Sequence, residues 1–328
     1  MSKEANKKVS MRSISARFDY QDASSWLDHL KTEGFIVIKQ ALCPGEVQTA
    51  IDLFWTHIEN ELPKSNRSKA DGDEKPIDRN DITTWLQWRL DKRGFMTGKT
   101  AQSKGSWYVR GIPRIHDIFA KIWDEEDLLV SMDAVIAWKP WWHHSGWIPL
   151  TEGLHLDQNP FNKRDFVCVQ GMVPLYDVTT TVGGLEVVPQ THTEESKDEF
   201  RKRYPQMSYS GDWCPLRRKD PLQGCGSLVL AQAGDLILWD SRTVHGGVVG
   251  TGEIRKEDKH KAQLARLSIP VCMTPRSWAS KEVLQQRKEA FETGACMTHW
   301  PHEVGDGHSV GTFANVPIDL TKEQLKIL

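Results

Sequence analysis

The chain has 328 residues, with 42 Lys and Arg against 44 Asp and Glu, a formal charge of −2 and a pI near 6.6. That balance gives no general attraction to nucleic acid or to an anionic membrane. No apolar run approaches the roughly 18 residues of a membrane span, and the first residues carry no apolar signal core, so a soluble, cytoplasmic protein is expected.

Residues 1–20 read as a disordered tail, and 21–328 as a single domain with a helical flank over 21–130, a β core over 131–275 and a C-terminal helix and loop over 276–328. In the flank, Ser24 or Ser25 caps a helix whose Trp26, Leu27 and Leu30 share one face. Gly34 stops it, and Phe35-Ile36-Val37-Ile38 reads as a strand. A second helix runs from Cys43-Pro44-Gly45 to about Leu62, with Val47, Ala50, Ile51, Phe54, Trp55 and Ile58 on its stripe. Pro63 to Asp81 is charged and aperiodic, the character of an exposed loop or lid hinge. Residues 82–130 continue the flank in a mainly helical pattern.

From Met132 the period changes to two. Strands are expected at about 132–139, 153–158, 166–175, 184–189, 227–232, 235–240, 244–249 and 263–272. This spacing suits an all-β sandwich or jelly roll. Thr193 to Gln223 interrupts the series with a helix over Glu194–Arg203 and the basic clusters Arg201-Lys202-Arg203 and Arg217-Arg218-Lys219. These clusters read as a solvated face or as a cap that greets an anionic substrate. A last helix runs from Ser277 through Ala290. Beyond it, Cys296, His299 and His302 have weak zinc spacing, which Pro301 and the lack of a second cysteine argue against. The six cysteines form no C-x-x-C pair and read as reduced thiols.

The chemistry concentrates in Gly153-Leu154-His155-Leu156-Asp157-Gln158. Alternation on a strand projects His155 and Asp157 the same way, which supplies two members of a 2-His-1-carboxylate metal set. By itself such a pair also arises as a hydrogen-bonded strand edge. The third ligand is sought at His245, where an apolar strand ends in a His followed by Gly246-Gly247, which would let the backbone pass close to a bound ligand. On the later strand, Leu267, Ile269 and Val271 share one face and Arg266 and Ser268 the other. A lone Arg aimed into a cavity needs an anion, and a dicarboxylate would pair with Arg266 and hydrogen-bond Ser268. The chain carries 14 Trp, and Trp138, Trp141, Trp142 and Trp147 crowd ahead of the central motif, as a pocket wall or an aromatic core.

With these residues in order, the chain resembles the phytanoyl-CoA dioxygenase-like branch of the Fe(II)/2-oxoglutarate oxygenases. The resemblance spans about residues 25–302 and rests on Glu33-Gly34-Phe35-Ile36-Val37-Ile38, His155-x-Asp157, Gly183-Gly184-Leu185-Glu186-Val187-Val188-Pro189-Gln190-Thr191-His192, the Ala233-Gly234-Asp235-Leu236 strand into His245, and Arg266. It implies a double-stranded β-helix in which His155, Asp157 and His245 hold iron while 2-oxoglutarate and O2 take the open positions. Arg266, with Ser268, would bind the far carboxylate of 2-oxoglutarate, and His192 would either stand behind the metal or serve the turn. Oxidative decarboxylation would give succinate and CO2 and oxidise a C–H bond by hydroxylation or desaturation. The expected substrate is a small or medium organic molecule bearing an anionic group, enclosed between core and insertion.

Two features depart from the family pattern. Arg266 lies farther beyond His245 than the family's arginine usually does, while Arg255 has the usual spacing but sits in a hydrophilic loop. No segment matches a specialised member's substrate signature. Rival readings are a non-catalytic jelly-roll binding protein, which the intact triad argues against; oxidative halogenation, which Asp157 argues against; and a nucleic-acid- or protein-directed oxygenase of the same superfamily, against whose nucleic-acid form the charge balance speaks.

Overall fold

The structure is a computed structural model that describes residues 11–60, 76–209, 211–259, 261–304 and 318–328. Most of the expected Pro63–Asp81 loop lies outside the described residues. The core is a jelly roll of two facing sheets with helices on one side. One sheet has seven strands in the order 17–18, 35–38, 236–240, 169–174, 266–270, 135–138 and 95–96. The other has six, in the order 13–14, 227–229, 183–187, 245–249, 155–156 and 214–215. A short pair, 128–130 with 273–275, stands apart.

Period-two alternation explains the layering. In the seven-stranded sheet Phe35, Val37, Met172, Ile237 and Trp239 point between the sheets, while Ile36, Ile38, Val173, Leu236, Leu238, Leu267 and Ile269 point to the helices. Both faces are therefore covered, so these strands read as nearly continuous apolar runs. Truncating one of the buried residues, such as Leu238→Ala, would cost about 2–5 kcal/mol. The outer face carries the helices Ala23–Glu33, Pro44–Asn60, Lys104–Arg110 and Pro113–Trp123. Among the described residues, no helix is long and apolar enough to cross a membrane.

All eight strands expected from Met132 onward are present, each shorter than expected, and the fourth begins one residue early, at Gly183. Three expectations are corrected. The cap of the first helix is Asp22, whose carboxylate accepts from the Ser25 N–H, rather than Ser24 or Ser25; Gly34 does end the helix, in the left-handed region at φ 81°. The tail boundary at residue 20 is too late, because Ser13–Ile14 and Arg17–Phe18 add strands, pairing parallel with Leu228–Val229 and Val37–Ile38. Two-residue strands have too few positions to display a period. The insertion also contributes to a sheet: Cys214–Pro215 pairs antiparallel with His155–Leu156 at the edge of the six-stranded sheet.

Candidate metal centre

The two candidate histidines are brought together by strand register. His245 stands directly opposite His155 in an antiparallel pair, and opposed residues share a face. Their ring centroids are 4.6 Å apart. Asp157, two residues past His155, follows on the same side. Its Oδ1 lies 3.5 Å from His155 Nε2 and its Oδ2 3.2 Å from His245 Nε2. One ligand atom from each of the three side chains falls within 4.8 Å of the other two, the one such group of His, Cys, Asp or Glu found among the described residues.

Each imidazole is oriented from behind. His155 Nδ1 donates to the Gly153 carbonyl at 2.8 Å and His245 Nδ1 to the Thr243 carbonyl at 2.9 Å, which turns both Nε2 atoms toward Asp157. Gln170 Nε2 donates to Asp157 Oδ2 at 3.1 Å and fixes the carboxylate. Burial holds the His155 imidazole below the usual histidine range, outweighing the opposite pull of Asp157. For Asp157, burial alone would favour the neutral acid, but His155 and His245 outweigh it and hold the carboxyl well below the usual range. Two imidazoles and one carboxylate on a single side form the donor set of a mid-row divalent metal with open positions, so the residues fit Fe(II).

Gly246 and Gly247 differ from expectation in what they admit. A Cβ on Gly246 would lie 2.5 Å from the Gly153 carbonyl oxygen, the atom that orients His155, so the close approach is to the chain itself and not to a ligand. On Gly247 it would meet Thr151 Cγ2 at 3.2 Å. Gly246→Ala should therefore push the Gly153 carbonyl aside and weaken metal binding by roughly 10–100-fold, the usual effect of losing a hydrogen bond behind a metal-binding His. Gly247→Ala should change it far less. Equal metal titrations for wild type and Gly246→Ala would refute this role.

Arg266 and Ser268 lie on the inner face of the facing sheet. The guanidinium is buried, 4.6 Å over the Trp138 ring, with Nη2 3.1 Å from Met172 Sδ and Nε donating to Ser268 Oγ at 3.3 Å. No Asp or Glu among the described residues forms an ion pair with it, and burial pushes its pKa down to about 10. Met172 and Gln170 are two apart on one strand, so the end of the Arg266 guanidinium touches a residue one same-face step, roughly 7 Å, from the one that holds Asp157. Arg255 is 74% exposed and paired with Asp258 at 2.7 Å. It borders a cavity of about 430 Å³ that none of the three candidate ligands lines.

His192 serves the turn: its Nε2 donates to the Lys31 carbonyl at 2.9 Å. Cys296, His299 and His302 do not assemble as a metal group among the described residues. Sequence reasoning missed Gln170 and Trp213, whose ring centroid is 6.3 Å from that of His155. Gln170 carried a usable signal, a lone amide at an inward position of an apolar strand. Trp213 carried none, because its placement depends on how the insertion pairs.

Comparison with known proteins decides the family. Residues 30–255 match the family model for phytanoyl-CoA dioxygenase (PhyH). The chain belongs to this family. It is accordingly an Fe(II)/2-oxoglutarate-dependent oxygenase, with Fe(II), 2-oxoglutarate and O2 as its cofactor and cosubstrates. The match ends at Arg255, short of Arg266. The PhyH-family chain is 27% identical over 301 residues to Ava biosynthesis cluster protein O of Aspergillus versicolor, covering 84% of this chain and 86% of that protein. It is 21% identical over 252 residues to a putative phytanoyl-CoA dioxygenase of Dictyostelium discoideum, covering 66% and 68%. The crystal structure of the epimerase SnoN in complex with Fe3+, alpha ketoglutarate and nogalamycin RO superposes with a TM-score of 0.51 at 13% identity, covering 92% of this chain and 97% of that one. That likeness supports the jelly-roll fold.

Proposed function

We propose that His155, Asp157 and His245 hold Fe(II), that Arg266 with Ser268 anchors the far carboxylate of 2-oxoglutarate, and that the enzyme hydroxylates or desaturates a small or medium organic molecule. When bound, iron, 2-oxoglutarate and O2 supply the oxidising chemistry and leave succinate and CO2 as coproducts. The chain's own residues do the positioning. Gly153 and Thr243 fix the two imidazoles with Nε2 turned toward Asp157, Gln170 holds the carboxylate, and burial of both histidines limits water. The single observation that carries the reading is the buried, acid-free Arg266, whose guanidinium reaches Met172, one same-face step from the Gln170 that holds Asp157, because an uncompensated guanidinium in such a place is costly unless an anion completes it.

A small-molecule substrate suits the A. versicolor relative, whose name places it in a biosynthesis cluster. An anionic group held by Arg217 and Arg218 draws no support from their placement. Both are exposed, and Arg217 sits 4.9 Å over the Tyr204 ring, four residues along the chain from Trp213, whose ring centroid is 6.3 Å from that of His155.

The test is calorimetric titration of the full chain with 2-oxoglutarate, anaerobically, with and without Fe(II), followed by succinate release in air. Metal-dependent binding and succinate formation, both lost in His245→Ala, are expected. Failure of 2-oxoglutarate to bind the metal-loaded chain would return the protein to a non-catalytic jelly-roll binder.

A further inference from the structure

The insertion that interrupts the strand series brings an aromatic side chain to the metal cluster. Cys214 pairs with Leu156 and Pro215 with His155, and carrying that register on by one residue sets Trp213 opposite Asp157. Opposed residues share a face, so Trp213 stands on the side of both His155 and Asp157. Its ring centroid is 6.3 Å from that of His155, yet the residue is 51% exposed. A half-exposed indole beside a buried ligand cluster offers a flat apolar surface at the entrance.

The C-terminal loop supplies a polar counterpart. His299 Nε2 is buried and has no hydrogen-bond partner among the described residues, an arrangement that normally costs free energy until something pairs with it. Its loop is anchored on either side, by Met297 N–H to the Met132 carbonyl at 2.8 Å and by His302 Nδ1 to Thr274 Oγ1 at 2.9 Å.

One lysine ties the two elements together. Lys163 Nζ reaches Asp212, next to Trp213, at 2.7 Å and Glu303 at 2.5 Å, and it sits 4.0 Å over the ring of Trp300, next to His299. The insertion and the C-terminal loop are thus held together beside Trp213.

Resting on the metal site proposed above, we infer that Trp213 and His299 form the substrate clamp: a planar, apolar ring system lies on Trp213, and an oxygen substituent on that ring hydrogen-bonds His299 Nε2. This names a substrate class, hydroxylated or carbonyl-bearing polycyclic arenes and their heterocyclic analogues, and two specificity residues that lie outside the metal-binding set.

The clamp is tested by binding of hydroxyarenes of two to four fused rings, their unsubstituted parents and their ring-saturated counterparts to the full chain loaded with Fe(II) and 2-oxoglutarate under nitrogen. Wild type should favour at least one hydroxyarene over its saturated counterpart and over its parent arene by about tenfold each. Trp213→Ala should lose about tenfold in affinity for that hydroxyarene and Trp213→Phe much less, as expected for an aromatic contact. His299→Ala should bind hydroxyarene and parent alike, with His299→Gln restoring part of the preference. All variants should keep wild-type affinity for 2-oxoglutarate, which separates failure of the clamp from failure of the metal site. Absence of arene binding, equal binding of the saturated compounds, or unchanged affinity in Trp213→Ala would overturn the clamp.

Discussion

Asp157→Ala should abolish Fe(II) binding, with affinity falling by more than the roughly 100-fold that loss of a supporting residue behind a ligand can cause, and succinate formation should fall with it. The aspartate is the only anionic member of the set. Without it two neutral imidazoles 4.6 Å apart must hold a dication alone, and Gln170 loses its acceptor. A metal titration with a melting curve decides the matter: lost metal binding in a chain that still melts cooperatively is expected, whereas near-normal affinity would remove Asp157 from the site. Acid should act in the same direction. His155 and Asp157 both have folded-state pKa values below their ordinary ones, so on acidification the unfolded chain takes up these protons first. The stability they contribute is therefore fully present above the ordinary histidine range. It falls as pH drops below that range, for His155, and again below the ordinary carboxylate range, for Asp157. In Asp157→Ala the second loss should vanish.

Arg266→Lys should weaken 2-oxoglutarate about tenfold and Arg266→Met more, on the order of 30-fold, which corresponds to about 2 kcal/mol for a lost charge-assisted hydrogen bond. Lysine keeps the charge but not the planar fork that matches a carboxylate. Methionine keeps much of the volume against Trp138 and removes a buried charge that has no acid partner, so the metal-free chain should melt no lower than wild type. Weaker cosubstrate binding without lost stability is the signature of an anchor for an anion; a purely structural arginine would lower both. Arg255→Lys should leave 2-oxoglutarate affinity within about twofold, since Arg255 is exposed and already paired. The reverse ranking would move the anchor to Arg255.

The difference between these two arginines shows how much the sequence can reveal. The inward direction of Arg266 and Ser268 followed from alternation with Leu267 and Ile269, and the same rule set His155 beside Asp157. The meeting with His245 needed only that its strand lie next to theirs. What stayed hidden came from pairings between distant segments. The edge strand at Cys214–Pro215 has two residues and no period, so nothing local indicated that Trp213 faces the ligands. The strands at Ser13–Ile14 and Arg17–Phe18 lay inside a polar stretch that composition alone assigned to a tail. The role of Gly246 was misread for a similar reason: that a glycine marks a close approach was legible, but which atom approaches was not.

The proposed metal ligands come from neighbouring strands that are far apart in the chain, Asp157 and His245 being 88 residues apart. An ion held by both is therefore a cross-brace within the six-stranded sheet as well as a reaction centre. The unfolded chain cannot offer the same three atoms together, so the ion draws the equilibrium toward the closed sheet by mass action, by about 2.7 kcal/mol when free metal exceeds its dissociation constant a hundredfold. Iron supply would thus govern both how active each molecule is and how many molecules persist in folded form.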